Sequence, residues 1–365
     1  MAQASSVVYN KKRKLWLSQK LRFGRTGEFK ILQVVDMHYA DGKTTSCLNV
    51  LPSQVHGCFD LNISAFIQRM IKAEKPNLIV FTGDNIFGFE AKDSAKSLNA
   101  TFAPAIAAGI PWAAVLGNHD QWVGLKPLVL QTNQSSTSTS LTLAITPRFL
   151  LSLAMAGLNP LSNYGFNAPL QNFIAYMKPP LAITPRFLLS LAMAGLNPLS
   201  NYGFNAPLQN FIAYMKPPMA KKPFAPGLVY FHIPLPEFAS FGASNFTGVR
   251  QEGISSASIN SGFFNTTMVE AGEVKAVFIG HDHLNDFCGQ MTGIQLCYAD
   301  GFRYHAYGKA RWSRRARVVL ASLKKTDEGD WGAVKSIKAW KPLDDEHLTA
   351  IDGQVLWSKH LTPKL

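Results

Sequence analysis

Five short motifs gather most of the side chains in this chain that could do chemistry together. In order they are Asp36-Met37-His38, Gly83-Asp84, Gly117-Asn118-His119-Asp120, His232, and Gly280-His281-Asp282-His283. A lone buried Asp or His is more often a hydrogen-bonded structural residue than a ligand, but here every motif directly follows a run rich in β-forming residues. Carboxylates, an amide oxygen and imidazoles converging from several strand ends suit a dinuclear hydrolytic metal site. In such a site one carboxylate is shared between ions about 3.5–4 Å apart. Asp36 and His38 are two residues apart, as are His281 and His283, so on an extended chain each pair can face the same ion. The glycines before Asp84, Asn118 and His281 allow tight turns and a close approach of backbone to the ions.

The elements that must position these residues are legible from periodicity. Phe29 to Val35 reads as a strand, Leu61 to Ala73 as a helix, Leu78 to Thr82 as a strand, Ala91 to Ala107 as a helix and Trp112 to Leu116 as a strand. That β-α-β-α-β order implies right-handed crossovers and a largely parallel sheet, whose carboxyl edge is where open α/β sheets bind ligands. Further strands are expected at Leu228 to Phe231 and Val274 to Ile279. Ile294 to Ala299, Ala316 to Leu323 and Ala333 to Trp340 read as consecutive antiparallel strands joined by turns. Two facing sheets with helices outside would accommodate the whole set.

Between the halves, residues 143–180 recur without a change as residues 181–218, a 38-residue tandem copy. Solenoid repeats drift in sequence and need about three copies to bury a continuous core, so a duplication is the better reading. Each copy predicts a short helix opening at Pro147 or Pro185 and stopping at Gly157 or Gly195. Neither copy contains a His, Asp, Glu or Cys, so neither brings a candidate ligand.

The chain has 365 residues, 47% hydrophobic and 16% charged, with 36 Lys+Arg against 23 Asp+Glu. This composition excludes a disordered or collagen-like chain. The net charge of +13 favours acidic ligands such as phosphate esters. No nucleic-acid module accompanies the basic residues, and Arg311, Arg314, Arg315 and Arg317 are expected to form a solvated face. The longest mostly apolar stretch, Phe149 to Leu158, has ten residues, far short of the roughly 20 that cross a bilayer. The basic first 28 residues form an N-terminal extension with no recognisable signal peptide, which places the chain as written in the cytosol. The cysteines point the other way, because Cys47 with Cys58 and Cys288 with Cys297 form two local pairs suited to disulfides. Sequons at Asn62, Asn99, Asn133, Asn245 and Asn265 also suit a secreted protein.

The ordered motifs resemble the calcineurin-like metallophosphoesterase superfamily. Gly227 to Glu237, Asn245 to Glu252 and Gly280 to Asp286 further resemble the plant purple acid phosphatases designated inactive. The resemblance covers about residues 20–120 and 219–358. It implies a four-layer α/β/β/α sandwich over residues 29–358, with a disrupted middle where residues 121–218 form an atypical insert. It implies two metal ions, iron, manganese or zinc, and a phosphate-ester substrate. Asp36, His38, Asp84 and His283 would surround the first ion, and Asp84, Asn118, His232 and His281 the second, with Asp84 bridging. A metal-bound hydroxide would be the nucleophile, His119 the acid or phosphate donor, and Asp120 the residue orienting His119.

Two departures qualify this expectation. Purple acid phosphatases carry Gly two places after the first Asp and a metal-ligating Tyr three places after the bridging Asp, where this chain has His38 and Phe87. A protein without that tyrosinate should not be purple, while His38 supplies the ligand used by non-purple branches. The insert stands where related chains have further strands, so a metal-binding but catalytically impaired member is the alternative. His305, between Tyr304 and Tyr307, reads as a packing residue.

Overall fold

The computed structural model describes residues 21–115, 117–121, 226–242, 245–256, 260, 264–265 and 274–359. The basic extension up to Lys20, Asn133, both 38-residue copies with their expected helices, and His360 lie outside the described residues.

The first half follows the expected order. Strands β1 (Glu28–Val34), β2 (Leu78–Thr82) and β3 (Trp112–Val115) pair in parallel, with Ile31 opposite Leu78 and Ile79 opposite Trp112. After a single turn, α1 (Pro52–Val55), the crossover from β1 to β2 is α2 (Leu61–Glu74), and that from β2 to β3 is α3 (Ser94–Ala108). Helix α2 buries Ile63, Phe66, Ile67 and Met70 at i, i+3, i+4 and i+7, a stripe facing the core. It stops at Lys75 in a left-handed conformation, immediately before Pro76. Helix α3 begins where the Asp93 side chain accepts the Lys96 N–H, and it ends at left-handed Gly109.

Strands β4 (Gly227–Tyr230), β5 (Phe246–Thr247), β6 (Val274–Ile279), β7 (Cys288–Met291) and β8 (Ile294–Tyr298) form a second sheet in the order β4-β6-β8-β7-β5. The first sheet is completed by β9 (Arg317–Lys325), β10 (Trp331–Pro342) and β11 (Ala350–Ser358), in the order β11-β10-β9-β1-β2-β3. Side-chain alternation explains the sandwich. Leu228, Tyr230, Ala276 and Phe278 face the first sheet and join its core, whereas Val229, Phe231, Val277 and Ile279 turn to the other face and pack with Phe238 and Phe241. The mixed α/β fold therefore has two facing sheets, with the two long helices packed into the first sheet's core.

Two expectations are corrected here. β8 is not the first of three strands joined by turns: it pairs in parallel with β6 and antiparallel with β7, whereas β9 lies in the other sheet, antiparallel to β1. Residues 299–316 carry the chain between the sheets, too long a span for a hairpin turn. The arginines are also not a solvated face, because Arg314, Arg315 and Arg317 are buried and only Arg311 is exposed. Arg315 pairs with Asp286 at 2.7 Å, and Arg317 donates to the carbonyls of Asp286 and Tyr298. A buried guanidinium needs such partners to offset its desolvation. Both disulfides, Cys47–Cys58 and Cys288–Cys297, are formed, the second across directly paired strands.

Candidate metal centre

The loops leaving β1 and β2 run side by side. The N–H groups of Asp36, His38 and Tyr39 donate to the carbonyls of Gly83, Asp84 and Asn85. Asp36, His38 and Asp84 all adopt left-handed backbone conformations, with φ near 48°, 46° and 47°. Such conformations cost non-glycine residues about 1–3 kcal/mol each and persist where the surroundings enforce them. These turns, rather than simple strand alternation, aim Asp36 and His38 to the same side. Gly83 has φ 96°, and a Cβ there would overlap the His232 ring, so this position needs glycine both for its turn and for the approach of β4's end.

Two donor groups result. Ligand atoms of Asp36, His38, Asp84 and His283 lie within 4.8 Å of one another, and so do those of Asp84, His232 and His281. Asp84 belongs to both. Asn118 joins the second group, its Oδ1 lying 3.1 Å from His232 Nε2 and 2.9 Å from His281 Nδ1. All seven side chains expected to meet do so. His232 Nδ1 sits 3.0 Å from the Thr82 carbonyl. Because a carbonyl can only accept, that contact puts a proton on Nδ1 and leaves Nε2 as the nitrogen facing Asp84, 3.1 Å away, and free to face an ion once it gives up its own proton.

The electrostatics are those of a cation site. Burial pushes the Asp36 carboxyl up to about 8, a rise that Asp84 assists. Burial would also raise Asp84, but His232, His38 and His119 outweigh it and hold that carboxylate well below its usual range. Burial drives His38 and His283 well below the usual imidazole value and brings His281 to about 4. Only His232 is raised, to about 9, because Asp84 and Asp36 overcome its burial. Neutral imidazoles at His38, His281 and His283 beside an ionised Asp84 are the protonation states that metal binding requires, whereas His232 and Asp36 would release a proton on binding. Asp84 Oδ2 is buried without a hydrogen-bond partner although three imidazoles surround it, and His38 Nε2 and His283 Nε2 stand 3.0 Å apart. An orphaned carboxylate oxygen among mixed N and O donors fits divalent transition ions.

His119 lies against this cluster, its Nε2 3.9 Å from Asp84 Oδ2 and its backbone N–H donating to Asp84 Oδ1 at 2.8 Å. Burial lowers its pKa. Asp120 does not orient the ring as expected. Its oxygens accept instead from the N–H groups of Gly117, Asn85 and Ile86 and from Asn85 Nδ2, and the His119 Nδ1 has no hydrogen-bond partner. Asp120 thus staples the Asp84 loop to the Asn118 loop. Asp120→Ala should strand several buried donors, costing about 3 kcal/mol of stability or more, and should loosen metal binding by about 10–100-fold. Thermal melts and metal titration would check this, and normal values in both would refute the staple.

The structure also brings in residues that motif spacing did not single out. Arg303 is buried, donates from Nη2 to the His283 carbonyl and from Nε to the Tyr307 carbonyl at 2.9 Å, and lies 3.4 Å from Asp300. Tyr307 stacks on the His283 ring with centroids 4.4 Å apart. His305 is more than packing, since its Nε2 lies 2.7 Å from Glu90 and its Nδ1 3.1 Å from the Ser46 carbonyl. Their only signal in the sequence is the mixed charged and aromatic segment from Asp300 to Tyr307, just after β8.

A family model described as calcineurin-like phosphoesterase matches residues 29–285, a span that includes every one of these ligand candidates. The chain belongs to the calcineurin-like phosphoesterase family. "Probable inactive purple acid phosphatase 29" of Arabidopsis thaliana is 50% identical to this phosphoesterase over 345 residues, covering 93% of this chain and 88% of its own length. "Probable inactive purple acid phosphatase 28" of the same plant is 41% identical over 374 residues, covering 96% and 89%. The crystal structure of a dimetal phosphatase from Danio rerio aligns with a TM-score of 0.50 at 16% identity, over 90% of this chain and 99% of that one. At that identity the likeness speaks for the fold. Membership makes the chain a phosphoric ester hydrolase by class, and with the two donor groups it points to divalent metal ions. Among the described residues no helix is long and apolar enough to cross a membrane.

Proposed function

We propose that this phosphoesterase hydrolyses phosphate monoesters at a dinuclear centre held by Asp36, His38, Asp84 and His283 on one side and by Asp84, Asn118, His232 and His281 on the other. The observation that carries the reading is the sharing of Asp84 between both donor groups, with its Oδ2 lacking any hydrogen-bond partner. Bound there, the ions would supply Lewis acidity toward phosphoryl oxygens and lower the pKa of a water. The chain's own groups do the rest. The Thr82 carbonyl fixes the His232 tautomer, the His281 N–H orients Asp36 at 3.2 Å, and Asp120 holds the two loops in register. His119 lies where it could donate to the leaving oxygen once protonated, a state that its lowered pKa shifts toward acidic pH.

Phe87, at the place where purple acid phosphatases have tyrosine, presents a carbon ring 5.6 Å from the His38 ring. His38 supplies a nitrogen donor in place of the phenolate, so what the replacement removes is the colour and not the Lewis acid. The two disulfides and the exposed sequon residues Asn99, Asn245 and Asn265 support a working location in an oxidising compartment.

The test is metal analysis after purification and reconstitution with manganese, zinc or iron, paired with phosphate release from a phosphomonoester. About two ions per chain and chelator-sensitive turnover are expected, with chelation lowering the melting temperature because the ions bind only the folded site. Less than one ion per chain under every loading condition would overturn the reading.

A further inference from the structure

Three aromatic side chains lie against the His119 ring. Phe87, Phe89 and Tyr307 place their ring centroids 5.3, 5.7 and 5.5 Å from the His119 ring. They also touch one another, Phe87 lying 5.9 Å from Phe89 and 5.8 Å from Tyr307 in edge-on geometries. Phe87 is buried, but Phe89 is 55% exposed and Tyr307 42% exposed, so parts of two large rings meet solvent beside the candidate centre. Tyr307 is held there by backbone in a left-handed conformation, φ 57°, and by its carbonyl bond from buried Arg303. Scattered surface apolar residues need no explanation, whereas exposed rings grouped around a reactive group do.

We infer that Phe89 and Tyr307, backed by Phe87, form an aromatic collar that binds the leaving group and makes the phosphoesterase selective for phosphate esters of phenolic hydroxyls. The inference rests on the hydrolase reading above. In an in-line displacement the leaving oxygen departs toward the residue that protonates it, here His119. Whatever that oxygen carries must therefore lie among the rings that surround His119. A planar aryl group offers edge and face contacts to such rings, while a short polyol would give up water there for rings that offer it no polar partner beyond the Tyr307 hydroxyl. Atoms balance as in any monoester hydrolysis: water adds to phosphorus, the P–O bond to the phenol breaks, and the phenolic oxygen takes a proton from His119.

The test compares phenyl phosphate with glycerol phosphate, and a phosphotyrosyl peptide with its phosphoseryl counterpart, on the metal-loaded full chain. The aryl member should lead in both pairs if the phenol can be protein-borne, and in the first pair alone if it must be small. Because aryl esters are intrinsically more reactive, the decisive quantity is the change on mutation. Phe89→Ser should lower the aryl-to-alkyl ratio of kcat/KM by about 5–10-fold and Phe89→Trp should restore it, a loss on the scale of aromatic pair contacts. Tyr307→Ala should act in the same direction, with metal content measured to show that His283 still binds. Binding of phenylphosphonate against methylphosphonate, followed by calorimetry, reads the collar without turnover, so an inert wild type would sink the hydrolase reading while still testing the rings. An unchanged aryl-to-alkyl ratio in both variants, or equal affinity for the two phosphonates, would overturn the inference.

Discussion

Asp84→Asn should abolish hydrolysis and metal retention together. The substitution keeps the volume and one oxygen, so the bond from the His119 N–H to Oδ1 at 2.8 Å survives and the loop keeps its course. What changes is Oδ2, the buried oxygen that three imidazoles face, on the residue that both donor groups share. An amide NH2 there cannot ligate and would turn its hydrogens toward the place of a cation. Losing a partner that merely orients a ligand already costs about 10–100-fold in affinity, so losing the shared ligand should exceed about 100-fold. Metal analysis should show less than one ion per chain, and the metal-induced rise in melting temperature should vanish. The metal-free variant should melt close to the metal-free wild type, because its packing is unchanged. Two ions retained in Asp84→Asn would show that the centre is organised around some other residue.

His119→Ala should separate binding from chemistry. The ring contributes no member to either donor group, so the ions should stay at near-normal stoichiometry. Turnover should slow by about 10²–10⁴, the usual scale for removing a general acid. The loss should be greatest for esters of poorly acidic alcohols and least for activated aryl esters, whose leaving oxygen needs little help. Steady-state kinetics across leaving groups, beside metal analysis of the same preparation, provides the check. A uniform loss across leaving groups together with lost metal would move His119 from acid to structural support.

The contrast between these two variants depends on chemistry that was readable before any fold was known. Asp36, His38, Asp84, Asn118, His232, His281 and His283 announce themselves because imidazoles and carboxylates gather at the ends of successive β-rich runs, and such ends share one edge of a sheet. β1, β2, β3, α2 and α3 were equally legible, since the helices bury one side of their surface and the strands are short, nearly continuous apolar runs, both local signals.

What the linear pattern could not decide is anything set by contacts between distant segments. That β8 stays with β6 while β9 crosses to β1 is a matter of sheet pairing, which strand composition does not encode. Arg314, Arg315 and Arg317 look like a solvated face until folding brings Asp286 and distant carbonyls to them. Asp120 sits next to His119 in sequence, yet its carboxylate faces the backbone amides of residues 85, 86 and 117, because the turn after β3 points adjacent side chains apart. The collar is the clearest case. Phe87, Phe89 and Tyr307 stand more than 200 positions apart at the extremes, and only the sandwich, by laying the loops after β2 and β8 over one edge, brings their rings around His119. Residue types and spacing determined which atoms could meet a metal, and the tertiary packing determined what else would meet the substrate beside it.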